Sequence, residues 1–264
     1  MSYDLMVFEK TKAPTNPTEF LNWYQKQTEW NDDCDYNDSS HASEKLQKFF
    51  HKIKDIFPPM NGPLSPSNKE LSENPDLEER LCDYCIGNDL IYLSLAYSVS
   101  GRAYDIVKRA AYFTGVGFFA VGEDTMPILF ESRYPMLLEG EWFRPLKVSD
   151  FENVREKLNN MTVKNRSFMY ITDQVGNYIQ VGGYGDSFTV EKRIYTDIMT
   201  YTHKKAEYSS NTVTDETGSV SIAGNHVKVK QCQILSNDIV EQLFRDFFQE
   251  TETTEAIKWT EWCI

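Results

Sequence analysis

The stretch LCDYCIGNDLIYLSLAY, residues 81–97, contains two short apolar runs joined by Gly87-Asn88. Gly-Asn is a favourable connection for a β-hairpin, and runs rich in Ile, Leu and Tyr are typical of strands. The pattern predicts one strand at 81–87 and a second at 89–97. This hairpin is the point from which the first half of the fold can be assigned.

Helical patterns flank the hairpin on both sides. Apolar side chains recur at i, i+3, i+4 and i+7 over residues 43–56, and a second apolar stripe covers 101–114. Gly115 is placed to end the second helix. Short apolar runs at 3–9 and 116–121 predict an opening strand and a closing strand.

The first half adds one helix, one loop and one more strand to this frame. Asn16, with Pro17 and Glu19 behind it, starts a helix that runs to about residue 30. Prolines make 57–75 a loop, and 127–131 reads as a strand. With the first helix set aside, the order is β-α-β-β-α-β, which is ferredoxin-like. We expect residues 1–131 to form an α+β unit, a ferredoxin-like sheet with helices on one face.

Residues 132–264 predict a second α+β unit, built on an antiparallel sheet. Its first part, 133–145, reads as a connection, and Ser149 with Glu152 has the spacing of a capping box. Gly224-Asn225 is suited to close a hairpin. The predicted elements are a helix at 149–160, strands at 167–172, 177–182, 187–195 and 198–203, a hairpin at 219–231, a helix at 237–249 and an edge strand at 257–264.

Composition limits the classes of partner. The net charge is −13, and an acidic surface repels nucleic acid. It attracts a basic protein, but net charge alone favours the simpler interpretation that the acidity keeps the protein soluble, and both stay open. No apolar run reaches the ~18–20 residues of a membrane span, and no signal peptide is visible at the N-terminus. Five cysteines at irregular spacing do not suggest a disulfide framework. We expect a cytoplasmic protein that binds neither membrane nor nucleic acid and needs no cofactor.

The acidic loop 31–40 carries the one pattern that resembles a metal site. Asp33, Asp35, Asn37 and Glu44 occupy positions 1, 3, 5 and 12 of a calcium-loop template. The sharp turn at position 6 requires glycine, but Asp38 stands there. A solvated turn, in which Asp and Asn side chains bond to local backbone, is therefore favoured over calcium.

No constellation of catalytic residues is visible, so we expect the protein not to be an enzyme. Cys82 and Cys85 lie in a predicted strand, where they point to opposite faces and read as ordinary strand cysteines. The glycine run 182–185 lacks the lysine of a phosphate loop and reads as a hairpin turn. The histidines match no catalytic signature.

Two stretches carry a family resemblance. The N-terminal stretch resembles a group of small bacterial proteins of unknown function, through SYDLMVF at 2–8, Trp23-Tyr24, Trp30, DYND at 35–38 and FPPMNGP at 57–63. These proteins resemble, in setting and size, the immunity genes of bacterial toxin systems. The stretch from YIQVG at 178–182 to the region of Trp259 is similar to immunity proteins of the polymorphic-toxin class.

The resemblance implies tight binding of a cognate toxin domain in the cytoplasm, by blocking its active site or its partner surface. It supplies no catalytic residues. Many such toxins would be basic, and an acidic inhibitor complements them. The expected contacts are an exposed Trp262 and the acidic side chains Asp32, Asp33, Asp35 and Asp38, because a loop on a rigid scaffold is a typical recognition surface.

Two other classes of function remain open at this point. One is an enzyme whose site assembles from residues far apart in the sequence, and its mark would be a deep pocket with perturbed acids or a histidine. The other is a small-ligand or metal-binding sensor built on the ferredoxin-like half. Stabilisation of the fold by calcium would favour the sensor.

Overall fold

A computed structural model describes residues 2–31, 33–209 and 216–262. Its helices and antiparallel sheets form a mixed α+β fold, which confirms the predicted class. The chain divides into two compact units, Met1–Glu131 and Ser132–Ile264. Across the described residues, no helix has both the length and the apolar character required to cross a membrane.

A four-stranded antiparallel sheet, in the order β2-β3-β1-β4, forms the centre of the first unit. With α2 and α5 as its crossing helices, it has the β-α-β-β-α-β order expected of a ferredoxin-like unit. The elements are β1 (Ser2–Phe8), α1 (Pro17–Gln27), α2 (Glu44–Ile53), α3 (Asn68–Glu73), α4 (Pro75–Glu79), β2 (Cys82–Ile86), β3 (Leu90–Ala96), α5 (Ser100–Thr114) and β4 (Gly117–Ala120).

Local sequence explains where these helices begin and end. The side chain of Asn16 accepts hydrogen bonds from the backbone N–H groups of Thr18 and Glu19, so it caps α1 as predicted. The hydroxyl of Ser43 caps α2 in the same way. Gly115 ends α5 with a φ of 75°, a left-handed conformation that glycine adopts at little cost.

Helices cover both faces of the first sheet. Successive residues Phe118 and Phe119 of β4 point to opposite faces. Tyr104 of α5 contacts Phe118, with 5.2 Å between ring centroids, whereas Phe20 of α1 contacts Phe119 at 5.1 Å. Helices were expected on one face only. Helix α5 covers one face, but α1 covers the other, where its Phe20 belongs to the same apolar cluster as Met6.

Two segments of the first unit differ from their predictions. The segment 57–75 was expected to be a loop, but it contains α3, which Ser67 and Glu70 start with a reciprocal capping box. The stretch 127–131 was expected to be a strand, yet only Ile128 bridges to Phe118. A single bridge is too short to form a fifth strand of this sheet.

The second unit is built on a seven-stranded antiparallel sheet in the order β13-β10-β9-β8-β7-β5-β6. Helices α6 and α7 pack on one face and bury its apolar side chains. The elements are β5 (Met136–Gly140), β6 (Phe143–Val148), α6 (Phe151–Asn159), β7 (Phe168–Thr172), β8 (Tyr178–Tyr184), β9 (Ser187–Tyr195), β10 (Tyr201–Tyr208), β11 (Thr217–Ile222), β12 (Asn225–Lys230), α7 (Asn237–Gln249) and β13 (Ile257–Glu261).

Three predictions in this unit need correction. The segment 133–145, expected to be a connection, contains β5 and the start of β6, and Pro145 is tolerated because β6 is an edge strand. The strand expected at 198–203 begins only at Tyr201, because Thr196 and Thr200 form the preceding turn. Asp150, not Ser149, caps α6.

The glycine run is part of a strand and not, as predicted, only a turn. Gly182 and Gly183 lie in β8, and the turn itself begins at Gly185. The separate hairpin β11–β12 packs against these glycines, since a Cβ at Gly182 would lie 2.3 Å from Ile222. The absence of side chains at these positions is what allows the hairpin to approach the sheet closely.

Candidate functional site

The predicted contact residues of the acidic loop lie between α1 and α2. Asp33, Asp35 and Asp38 are exposed, and Asp32 lies outside the described residues. Asp38 accepts hydrogen bonds from the backbone N–H and the hydroxyl of Ser40, at 2.9 and 2.7 Å. These bonds hold the pKa of Asp38 below its usual value. Much of the polar capacity of this loop is therefore used to fix its own backbone.

The calcium-loop template is not brought together as a site. Asp35 accepts hydrogen bonds from the backbone and the side-chain amide of Asn37, at 2.9 and 3.2 Å. Among the residues that the structure describes, no three His, Cys, Asp or Glu side chains form a group that could hold a metal ion. Asp33 and Glu44, the other two members of the template, thus belong to no such group.

The paired cysteines occupy β2. Cys82 is buried and Cys85 is half-buried, in the alternating pattern of a strand with two different faces. Burial raises the pKa of both thiols. A raised pKa disfavours the thiolate, which is the reactive form of cysteine.

A cleft in the second unit has a volume of about 590 Å³. It lies where the C-terminal end of α7 and the acidic segment 250–256 meet strands β9 and β13. Two cationic and four carboxylate side chains line it, so its net charge is −2. The lining residues are Arg133, Asn177, Lys192, Ile194, Leu243, Asp246, Phe247, Glu250, Thr251, Glu252, Thr254, Glu255, Ile257 and Trp259.

Asp246 fixes the acidic segment against the end of α7. Its two carboxylate oxygens accept hydrogen bonds from the hydroxyls of Thr251, Thr253 and Thr254 and from the side chain of Gln242, at 2.6–3.1 Å. Burial alone would raise the pKa of Asp246, but these hydrogen bonds outweigh it and hold the pKa below its usual value. The segment is thereby held as one wall of the cleft.

Arg133 also binds the C-terminal end of α7, at the edge of the cleft. Its Nη1 donates to the carbonyl of Phe247 at 2.6 Å, and its Nη2 donates to Asp173 at 3.0 Å. Its Nε lies 3.5 Å from Glu250, the residue that ends α7 with a φ of 55°. Arg133 is thus fully engaged in joining the β7–β8 turn to α7.

The remaining charges of the cleft are less well matched. Lys192 Nζ lies 4.1 Å from the centre of the Trp259 ring. Burial lowers the pKa of this lysine, and the charges of Glu252 and Asp246 only partly oppose that effect. Glu252 and Glu255 are exposed, and within the described part of the chain neither forms an ion pair. The mouth of the cleft therefore presents two carboxylates that are free to meet a cation.

Trp262, the other predicted contact, lies past the end of β13, on the other side of the sheet from Trp259. Its side chain is 42% exposed, and its backbone N–H donates to the carbonyl of His203 at 2.9 Å. The Trp262 indole covers Lys205, whose Nζ lies 3.8 Å from the ring centre. The exposure expected of Trp262 is thus found.

Sequence reasoning did not identify the acidic cleft. A signal was present, because TETTE at 251–255 places two carboxylates between an amphipathic helix and a strand that contains tryptophan. The pattern was not decisive, since only the folded chain shows that Lys192 and Arg133 line the same space. The acidic loop and this cleft belong to different units.

Comparisons of the chain with models of protein families, with curated protein sequences and with solved structures found no match. The function must therefore be inferred from the chemistry of the residues themselves.

Proposed function

We propose that this protein is an immunity protein, which binds a cognate bacterial toxin domain in the cytoplasm and neutralises it. The observation that carries the proposal is the acidic cleft, where the exposed Glu252 and Glu255 line a space of about 590 Å³ and form no ion pair within the described residues. An Arg or Lys side chain of a partner would meet two carboxylates there. Such charge-assisted contacts are the strong ones at interfaces.

The whole molecule favours the same kind of partner. A net charge of −13 attracts a basic protein over several ångströms and accelerates its association. The exposed Asp33 of the acidic loop offers a second contact of the same sign. The resemblance of the sequence to immunity proteins adds support from outside the site.

The first test is capture of the partner. The tagged full-length protein is recovered from its native bacterium, and bound proteins are identified by mass spectrometry. We expect a stoichiometric partner with a toxin domain, bound in calorimetry with a nanomolar dissociation constant, or about −12 kcal/mol. Absence of any stoichiometric partner, or a partner without toxic activity, would contradict the proposal.

The second test locates the contact. The pair Glu252→Lys and Glu255→Lys should weaken toxin binding at least tenfold, mainly through slower association at low salt, because steering depends on local charge. The pair Glu78→Lys and Glu79→Lys is the matched control, since these exposed residues carry the same charge on α4. Equal weakening by both pairs would indicate net charge alone, and Asp33→Lys reports on the acidic loop separately.

A small ligand in the same cleft is the second candidate, and Lys192 favours it. A half-buried lysine with a lowered pKa in a cleft is a common feature of ligand and enzyme sites. A melting screen against metabolites and metal ions distinguishes the two, because a ligand that binds only the folded protein raises the melting temperature. A hit that Lys192→Met abolishes would favour a sensor or an enzyme over an immunity protein.

A further inference from the structure

The seven-stranded sheet has a second polar cluster, on the face opposite α6 and α7. Arg193 of β9 and His203 of β10 are direct cross-strand neighbours there. Tyr178 of β8 and Trp262 flank them, with ring centroids 6.1 and 5.5 Å from the His203 ring. The cluster is therefore built from three adjacent strands and the end of a fourth.

Arg193 is held in a fixed position without an acidic partner. Its guanidinium lies over two aromatic rings, 5.1 Å from the centre of Tyr178 and 4.2 Å from that of Tyr201. Its buried Nε has no hydrogen-bond partner. Within the described residues, no carboxylate forms an ion pair with it. The rings cover the faces of the guanidinium, whereas its N–H groups lie in the guanidinium plane. These donors therefore stay available to a carboxylate.

His203 adds a second unsatisfied group. Its side chain is only 4% exposed, and neither ring nitrogen makes a hydrogen bond. Nε2 lies 3.4 Å from Glu191, a long contact within ion-pair distance, whereas Nδ1 has no such neighbour. Nδ1 is left without any contact to a polar group in the described part of the chain, so the imidazole keeps hydrogen-bonding capacity that its neighbours do not use. Buried polar groups without partners are rare and call for a ligand or water.

The carboxylate of Glu191, which lies beside His203, is already neutralised. Glu191 accepts hydrogen bonds from Lys205 at 2.9 Å and from Gln180 at 2.8 Å. The positive charge of Arg193 is consequently left over on this face, in a protein whose net charge is −13. Two large, partly exposed side chains border the site: Tyr201, which lies against Arg193, is 43% exposed, and Trp262, which lies against His203, is 42% exposed.

We propose that Arg193 and His203 form a binding site for a carboxylate group, with Tyr201 and Trp262 as its walls. The guanidinium would take both oxygens, and the imidazole, with its hydrogen on Nδ1, would strengthen the contact. The carboxylate can belong to a free organic acid or to an Asp or Glu side chain of a peptide. The site is independent of the toxin partner, because its ligand is acidic and it lies on the other face of the sheet from the acidic cleft.

The test titrates the full-length protein with sodium succinate and, separately, with the capped peptide acetyl-Gly-Glu-Gly-amide. The NMR signal of the Arg193 Nε–H group is followed. We expect saturable shifts with dissociation constants on the order of millimolar for at least one of the two. Saturation by the peptide as tightly as by succinate identifies a side-chain carboxylate, whereas saturation by succinate alone identifies a free acid.

Two variants and one control keep the result decisive. Arg193→Gln should weaken binding at least tenfold, as read from the shifts of Trp262, and Arg193→Lys should weaken it too, because a lysine cannot bind two oxygens side by side. Lys204→Gln removes the same charge from the neighbouring strand and should bind as the wild type does. Absence of saturable shifts with both probes, or unchanged binding in a folded Arg193→Lys variant, would overturn the site. Toxin binding is measured separately and does not enter this outcome.

Discussion

At the scale of single residues, Asp246 is the side chain on which the acidic cleft depends. Its carboxylate is nearly buried and accepts five hydrogen bonds. Asp246→Asn keeps the shape but replaces one acceptor oxygen with a donor, so donors of the acidic segment lose their partner. We expect the free energy of unfolding to fall by about 2 kcal/mol in urea titration. Glu241→Gln, which breaks an i,i+4 pair on the same helix, should cost less than about 0.5 kcal/mol.

The same residue gives a defined pH dependence. The pKa of Asp246 is lower in the folded protein than its usual value of 3.8. Its contribution to stability is therefore complete above the usual value and is lost as the pH falls through the lower, folded pKa. The difference in stability between wild type and Asp246→Asn should shrink in that acidic range. A difference that stays constant down to pH 2 would contradict this role.

Sequence predicts single residues where their role is local. Asn16 could be identified as a cap because its bonds reach only two and three residues ahead. The unpaired state of Arg193 could not, because it depends on which side chains β8 and β10 place beside it. Trp262 is intermediate, since its exposure was expected from the sequence but its contact with His203 was not.

At the scale of elements, strand β8 depends on glycine. Gly183 has a φ of 125°, and a Cβ there would lie 2.1 Å from the carbonyl oxygen of Ser187. Gly183→Ala should therefore destabilise the protein by about 2–4 kcal/mol, through backbone strain and a clash that backbone atoms cannot relieve. Gly185→Ala, with a φ of 68° but open space around it, should cost about 1 kcal/mol. Thermal unfolding of the two variants measures this, and equal losses would refute the role of close packing.

Helices and strands could be predicted where many consecutive residues kept one apolar periodicity and where local signals marked both ends of the segment. Helix α7 matches its predicted bounds because thirteen residues keep one apolar face. Strands β5 and β6 were missed because they are short and Pro145 argues against a strand unless its edge position is known. The face that α1 covers depends on tertiary packing, which periodicity cannot reveal.

At the scale of the whole molecule, each unit has an apolar interior of its own. We propose that residues 1–131 and 132–264 fold independently. Each fragment, expressed alone, should unfold in a single cooperative transition in urea, because a domain with its own core behaves as a two-state system. Loss of cooperativity in either fragment, monitored by circular dichroism, would show that the unit needs the rest of the chain.

The order of strands was readable from sequence in one unit only. In the first unit, helix α2 lies between β1 and the β2–β3 hairpin, and α5 joins the hairpin to β4. The rules for connections then leave few possible strand orders. In the second, β13 pairs with β10 although 48 residues lie between Tyr208 and Ile257, and β5 pairs with β7 across α6. Such distant pairings follow from side-chain packing and not from local pattern.

The alternation of Trp259 and Trp262 across the sheet also gives the molecule two optical reporters. Trp259 lies beside Lys192 in the acidic cleft, and Trp262 lies beside Lys205 and His203 at the carboxylate site. Nearby charges alter the emission wavelength and intensity of indole fluorescence, so the emission of each ring depends on its own surroundings. Subtracting the emission of Trp259→Phe or Trp262→Phe from that of the wild type isolates one ring. Binding at either site can thus be followed by tryptophan fluorescence, without an added label.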